Sequence, residues 1–402
     1  MEIKTKDVIY RDDLYPRFEP SQNTIQKYSD SVDQLPPIKL NQDNILIDGF
    51  HRWKAFQLAG VEMIPFEIIT TESDKHLKQL AYQTNSIHGL QLKTDEKKRF
   101  AQEMFGQISV ELICDILSVS SKTIKRWTET QAKASKEERD RKIVDLYLKA
   151  WNTQEGIADI LGVTQKSISN IIDSKKGHLS DISNNFTPLI YNIWNTQKQD
   201  NERKHFGAFP EIFMQNLLHY HTNPLDIVFD PFGGGGTTVD VCKQMFRRYY
   251  VSDRKVVPGR EKDIREHDIV NGLPKDLQKP KLVFLDPPYW KQAAGKYSDN
   301  EMDLGNMTLE AFNGAMNNLL SEISKRKIES IAIVIQPTQY SNGFNWVDHI
   351  FDFDKMLPNY SIEMRYILPY STEQYQPQNV IKAKEENKCL GLNRDLVVWR
   401  LK

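Results

Sequence analysis

The chain has 402 residues, of which 39% are hydrophobic and 27% charged, with a net charge of −1. That texture belongs to ordinary globular domains, and the length calls for two or three of them. No apolar run approaches the roughly 20 residues that span a bilayer, so no membrane contact is expected. The opening MEIKTKDVIYRDD lacks the apolar stretch of a signal peptide. The 3 cysteines form neither a zinc pattern nor a disulfide framework, so a reducing cytoplasm is the expected setting. The near-zero charge weakens the case for a uniform electrostatic grip on nucleic acid, and any such contact must concentrate its positive charge on one face.

Residues 1–70 read as a small α/β unit. DNILIDG predicts a strand entering a glycine turn, HRWKAFQLAG a helix stopped by Gly60, and VEMIPFEII a second strand. Residues 73–150 carry helical periodicity and no proline. The polar stretch DSKKGHLSDISNNF at 173–186 predicts a domain boundary. From Pro188 onward the apolar runs DIVFD, RYYVSD, KLVFLD, SIAIVIQ and LVVWRL alternate with helical stretches. This predicts a doubly wound, mostly parallel sheet. The division expected is therefore 1–92, a helical middle over 93–175, and an α/β domain over 187–402.

The middle holds an internal repeat. ICDILSVSSKTIKRW at 113–127 returns as IADILGVTQKSISNI at 157–171, an offset of 44 residues. Each copy has a short helix, a tight turn at Ser118 or Gly162, and a second helix with a polar face. This is the helix-turn-helix pattern, whose second helix can enter a major groove. The exposed positions expected are Ser120, Ser121, Lys122, Lys125 and Arg126 in the first copy. In the second they are Thr164, Gln165, Lys166, Ser169 and Asn170. The basic first copy suits phosphates, and the polar second copy suits base edges.

Two motifs carry the chemistry. In DIVFDPFGGGGTTVDVCKQMF a strand runs into glycines and then a helix. The glycines let a ligand approach the backbone, and the helix start offers free N–H groups. Neither GK[ST] nor GxGxxG is present, so phosphate-loop readings fail. Asp253, ending RYYVSD, suits ribose hydroxyls, and Asp268 in EHDIV suits an adenine amine. Some 50 residues after the glycines comes Asp286-Pro287-Pro288-Tyr289. Its prolines hold the chain extended and remove donors. The Asp286 carboxylate and the neighbouring carbonyls form an acceptor array. Acceptors on both hydrogens of an exocyclic amine localise its lone pair and raise its nucleophilicity. Tyr289 and Trp290 are expected to offer a stacking face for a base taken out of the helix. No cysteine lies beside the motif, which disfavours a covalent route.

With these motifs, residues 188–402 resemble S-adenosylmethionine-dependent amino-DNA methyltransferases of the N6-adenine/N4-cytosine type. The resemblance implies that Asp230, Pro231, Phe232, Gly233, Gly235 and Thr237 line the cofactor. HFGAFPEIFMQNLLHYH, with Phe209 and Pro210, resembles the segment that closes over its methionine end. Asp253 would hold the ribose and Asp268 the adenine. Asp286 and the Pro287 carbonyl would polarise the target amine, Pro288 would complete the catalytic motif, and Tyr289 would stack on the base. Adenine is the expected target, because DPPY is the commoner form in the adenine enzymes; cytosine N4 is the alternative. The glycine loop precedes DPPY, and the short spacing leaves no room for a recognition domain between them.

DGFHRWKAFQLAG at 48–60 resembles the ParB/sulfiredoxin-like fold, in which a turn of this kind meets a phosphate. The matched positions are Gly49, His51 and Arg52. YPR, ending at Arg17, and NSIHGLQL resemble that family's other boxes. CTP or ATP would be the nucleotide. FHRW departs from the family's loop, and Thr84 stands where a magnesium-binding Glu is expected, so a scaffold is the competing reading. ParB-like domain, helix-turn-helix and methyltransferase in this order resemble phage and mobile-element proteins. The expected partner is double-stranded DNA, with a homodimer as a candidate assembly. A DNA-binding regulator with a non-catalytic methyltransferase domain, or an RNA or protein-glutamine methyltransferase, are the rivals.

Overall fold

A computed structural model of the chain describes residues 1–16, 19–87, 92–184, 186–195, 209–295, 300–340, 345–369 and 377–402. It forms two compact units, Met1–Arg139 and Asp140–Lys402. The first unit contains β1 (Glu2–Lys4), α1 (Gln22–Ser29), β2 (Ile38–Leu40), β3 (Leu46–Asp48), α2 (Phe50–Leu58), β4 (Met63–Ile68), α3 (Asp74–Ile87), α4 (Thr94–Met104), α5 (Val110–Leu117) and α6 (Ser121–Trp127). Its strands form a 4-stranded sheet in the order β1-β4-β2-β3. The helices α4 to α6 enclose a separate apolar cluster around Phe100, Ile113, Leu117 and Ile124. The division between the units falls within α7 (Glu129–Leu148).

The second unit continues with α8 (Gln154–Leu161), α9 (Gln165–Asn184), α10 (Glu211–His221), β5 (Ile227–Asp230), α11 (Thr237–Gln244), β6 (Arg248–Asp253), β7 (Arg265–Glu266) and β8 (Leu282–Leu285). Then come α12 (Leu309–Lys325), β9 (Ser330–Ile335), β10 (Thr338–Tyr340), β11 (Asn345–Val347), α13 (His349–Met356), β12 (Tyr360–Pro369), α14 (Pro377–Glu385) and β13 (Asn393–Leu401). A 7-stranded sheet runs β12-β13-β9-β8-β5-β6-β7. Neighbours from β9 to β7 are parallel, and β13 runs antiparallel to β9 and β12.

Strand alternation sorts the side chains into two cores. Val228, Tyr249, Phe284 and Val334 join α10 and α11 on one face. Phe229, Tyr250, Val283 and Ile333 join α12 and α13 on the other. A sheet covered on both faces explains why LVFL and SIAIVI read as unbroken apolar runs. The chain is α/β, with a doubly wound, Rossmann-like sheet. From β5 it builds outward to β6 and β7, then crosses to β8 and β9. The strand order therefore reverses between β5 and β8, the place where ligands settle in open α/β sheets.

The structure departs from the sequence reading in the middle of the chain. The expected boundary at 173–186 is helical through Asn184, because α9 continues across it. One glycine costs a helix only about 1 kcal/mol, and the stretch has no proline. The helical middle also does not stand apart, since its second half belongs to the compact unit that contains the sheet. No helix among the described residues is long and apolar enough to cross a membrane.

Candidate active site and nucleic-acid interface

The glycine loop sits at the carboxyl end of β5. Asp230 is 2% exposed. It accepts hydrogen bonds from the Phe232 N–H at 2.9 Å and the Thr238 hydroxyl at 2.5 Å. Its carboxylate thus clamps the loop to the first turn of α11. Burial pushes its pKa up to about 7; the two hydrogen bonds oppose this, and the charges of Asp286 and Asp253 add to it. Gly233 is set by packing: a Cβ there would lie 2.4 Å from Val251 Cγ1. Gly236 opens α11 with φ +89°, a region that penalises any side chain. Pro231 and Thr237 are buried, whereas Phe232 and Gly235 are partly exposed.

Asp253 ends β6 and stays partly exposed. Its Oδ2 accepts from the Gly234 N–H at 2.8 Å and its Oδ1 from the Lys255 N–H at 3.1 Å. The loop is thereby tied to the next strand, while each oxygen keeps a further lone pair. Asp268 follows β7 and caps the turn Ile269–Asn271, accepting from the Val270 N–H at 3.0 Å. Phe209 is buried against Phe284, with ring centroids 5.2 Å apart, and Pro210 caps α10. Residues 205–208 of the segment before Phe209 lie outside the described residues.

DPPY follows β8, the strand beside β5. Asp286 and the glycine loop, far apart in sequence, meet where the strand order reverses. Pro287 is buried; Asp286, Pro288 and Tyr289 are partly exposed. Burial raises the Asp286 pKa to about 6, with the Arg394 guanidinium and a hydrogen bond from Tyr289 pulling it down. Arg394 lies at the start of β13 and sits over the Phe209 ring at 5.9 Å. Nothing local in LGLNRDLVVWRL marks this arginine; only the antiparallel placement of β13 brings it to these strand ends. Trp290 corrects the expectation of a second stacking ring. It is 6% exposed and donates its indole N–H to the Met307 carbonyl at 2.9 Å. The indole is part of the core below the motif.

The N6_N4_Mtase family, whose members are described as DNA methylases, matches residues 10–256. The match covers more than half of the chain. The chain belongs to this family. The matched stretch includes the glycine loop and Asp253 and ends before DPPY. Two relatives are similar over a shorter span. The Type II methyltransferases M.XycI of Xanthomonas campestris pv. cyanopsidis and M.Cfr9I of Citrobacter freundii are each 37% identical over 57 residues, covering 14% of this chain. The chain spans about a fifth (19%) of the length of these curated relatives. Among solved structures, the chromosome-partitioning protein ParB from Caulobacter crescentus, complexed to the centromeric parS site, aligns at 17% identity. That alignment covers 42% of this chain and 97% of that one, with a TM-score of 0.26. An rRNA methylase from Streptococcus thermophilus aligns at 13% identity over 48% of this chain and 97% of that one, with a TM-score of 0.27.

In this family member the repeat is geometric as well as textual. Ser109 and Thr153 cap α5 and α8. Ser118 at φ +51° and Gly162 at φ +63° make the turns. The hydroxyl pairs Ser120–Thr123 and Thr164–Ser167 recur at the start of the second helices. The apolar positions Ile113, Ile124, Ile157 and Ile168 are fully buried. Lys122, Lys125, Arg126, Gln165, Lys166 and Asn170 are exposed, and Ser169 is partly buried. The helix-turn-helix pattern is therefore formed twice, with the expected positions outward except Ser169, which is partly buried and donates to Asp173 at 3.4 Å.

The turn at Gly49, His51 and Arg52 is occupied by the chain's own groups. Arg52 donates to the Pro36 and Pro37 carbonyls and to Asp48. His51 is buried and accepts from the Ser21 N–H at 2.9 Å. The Phe50 N–H at the start of α2 is met by the Tyr15 hydroxyl at 3.2 Å. Gly49 has φ +101°, and a Cβ there would lie 2.9 Å from Ile38 Cγ2. Arg17 and residues 88–91 of NSIHGLQL lie outside the described residues.

Proposed function

We propose that the chain is an S-adenosylmethionine-dependent DNA methyltransferase that modifies the N6 amine of adenine. One observation carries this reading: the glycine loop and DPPY stand at the carboxyl ends of adjacent parallel strands, β5 and β8, at the reversal of strand order. Family membership supports it. The donor set also suits the cofactor. A loop kept close by Gly233 and Gly236, the helix start of α11, and the partly exposed acceptors Asp253 and Asp268 match a ligand rich in hydroxyl and amine donors. Asp253 would take the ribose and Asp268 the adenine, with Asp230, Pro231, Phe232, Gly235 and Thr237 shaping the loop. Phe209 and Pro210 would close its methionine end.

S-adenosylmethionine supplies the electrophilic methyl group when bound. The chain prepares the nucleophile. Asp286 and the Pro287 carbonyl accept the two hydrogens of the exocyclic amine, which localises the nitrogen lone pair. Pro288 keeps the stretch extended. Transfer would form the N–C bond as the donor's S–C bond breaks and leaves a neutral thioether; the amine would lose one proton, and the Asp286 carboxylate would take it. Tyr289 would stack on the extruded base, exchanging its bond to Asp286 for that contact. Lys122, Lys125 and Arg126 would meet phosphates, and Gln165, Lys166, Ser169 and Asn170 base edges.

Incubating the chain with DNA and S-adenosylmethionine, followed by mass spectrometry of the nucleosides, tests the reading. N6-methyladenine is the expected product. N4-methylcytosine would move the target to cytosine, and unmodified DNA would overturn the assignment. For the first unit we favour a scaffold, because His51 and Arg52 hold the fold. Calorimetry of the full chain with CTP and with ATP should then show no heat of binding, and a saturable isotherm would restore the nucleotide site.

A further inference from the structure

The segment that enters the second helix-turn-helix is built into the sheet. β6 is paired with β7 only at Ser252 and Asp253, so the amino-terminal half of β6 would be an open edge. Residues 149–151 lie along that edge. Lys149 bridges Tyr249 in parallel fashion, and the Ala150 N–H donates to the Tyr249 carbonyl at 2.8 Å. Gln278 Nε2 donates to the Ala150 carbonyl at 2.7 Å. Covering a strand edge in this way satisfies its backbone groups and blocks stray pairing.

The strap is held on both sides of this pairing. Trp151 sets its ring edge-on to Tyr249 and Tyr250, at 6.0 and 5.6 Å. Arg248, itself 9% exposed, donates to the Tyr147 carbonyl at 3.0 Å and to the Asn152 carbonyl at 3.0 Å. Lys149 pairs with Asp263 at 3.4 Å. Leu225, just before β5, packs into the apolar cluster of α8 and α9 as well as against the sheet core. Few of these bonds could survive if the helix pair swung freely. The reading helix α9 is thus held in fixed register to the strand that carries Asp253.

We infer that the second helix-turn-helix, strapped to the edge of β6 by Trp151 and Arg248, is the element that selects the methylated sequence in duplex DNA. This inference rests on the methyltransferase reading. A reader rigidly joined to a catalytic sheet places one base of its site at the catalytic strand ends, whereas a tethered one would leave that choice loose. The exposed Gln165 and Asn170 have side-chain amides that pair bidentately with adenine edges. Trp151 and Arg248 act through the reader and are positioning residues.

The experiment maps methylated positions on unmethylated bacterial genomic DNA treated with the full chain. Gln165→Ala with Asn170→Ala, both on an exposed face, should leave S-adenosylmethionine binding intact. These changes should relax at least one base position, with discrimination there falling about 10-fold or more. Trp151→Ala should lower the rate at the preferred site while duplex affinity stays within a few-fold, and Trp151→Phe should restore it. By contrast, Lys125→Glu with Arg126→Glu should weaken binding equally at every site and reduce its salt dependence. An unchanged site preference in the Gln165/Asn170 variant would overturn the inference while leaving the methyltransferase reading in place. A wild-type chain that methylates no DNA overturns both.

Discussion

Asp230 and Asp286 begin the same way, each an aspartate followed by proline at the end of a buried parallel strand. They differ in what surrounds them. The Asp230 carboxylate is closed off, and both its oxygens serve Phe232 and Thr238. Asp286 remains partly exposed, held by Tyr289 and drawn by Arg394. One carboxylate builds the loop and the other keeps acceptor capacity for a substrate. Burial raises both pKa values, so a perturbed titration by itself does not separate a structural acid from a chemical one. Their hydrogen-bond partners do.

The largest expected effect would confirm that division. Asp286→Ala should reduce methyl transfer about 100-fold or more, with little change in thermal stability or in S-adenosylmethionine affinity. Retained turnover would remove Asp286 from the chemistry. Asp230→Ala should act in the opposite sense. It orphans the Phe232 N–H and the Thr238 hydroxyl, at a cost of about 2 kcal/mol or more in unfolding free energy. The loss should appear in denaturant melts of the unliganded protein, and an undiminished melt would show that the loop does not need its clamp.

A smaller effect concerns Arg394. Its charge holds the Asp286 pKa down, so Arg394→Gln should move the acid limb of the kcat/KM profile upward from about pH 6. The variant would lose activity several-fold at pH 6 and much less at pH 8. An unshifted limb would remove the coupling. The smallest is a stability trend. Both carboxyls bind protons more tightly folded than unfolded. The stability tied to that protonation is complete below about pH 4. It is lost as pH rises through about 6 for Asp286 and about 7 for Asp230. Asp230→Asn keeps an acceptor for Phe232 and removes the charge, so it should flatten the fall in Tm between pH 5 and 8. An unaltered slope would place the titration elsewhere.

The glycine loop, DPPY, the strands DIVFD, RYYVSD, KLVFLD, SIAIVIQ and LVVWRL, and the repeat were all legible because each depends on local chemistry. Glycine meets a backbone need, proline removes a donor, and apolar periodicity marks a buried face. Trp290 was misread because an aromatic ring beside a motif looks the same in sequence whether it faces a ligand or the core. The stretch 173–186 suggested turns but is helical through Asn184, because polar residues suit both a loop and a helix. β12 was missed, being exposed along much of its length, whereas the short β7 (Arg265–Glu266) lies just ahead of Asp268, where the spacing of the acidic residues called for a strand end.

The sequence by itself determined the family, the order of the two motifs, and the presence of two helix-turn-helix copies with their outward faces. Only the tertiary structure decided that β5 and β8 lie side by side, that Arg394 stands at the same strand ends as Asp286, and that the second copy is strapped to β6. Each of these joins residues far apart in the chain. Such contacts are fixed by which strand edge lies open and which face remains to be covered, and neither is a property of any local stretch of sequence.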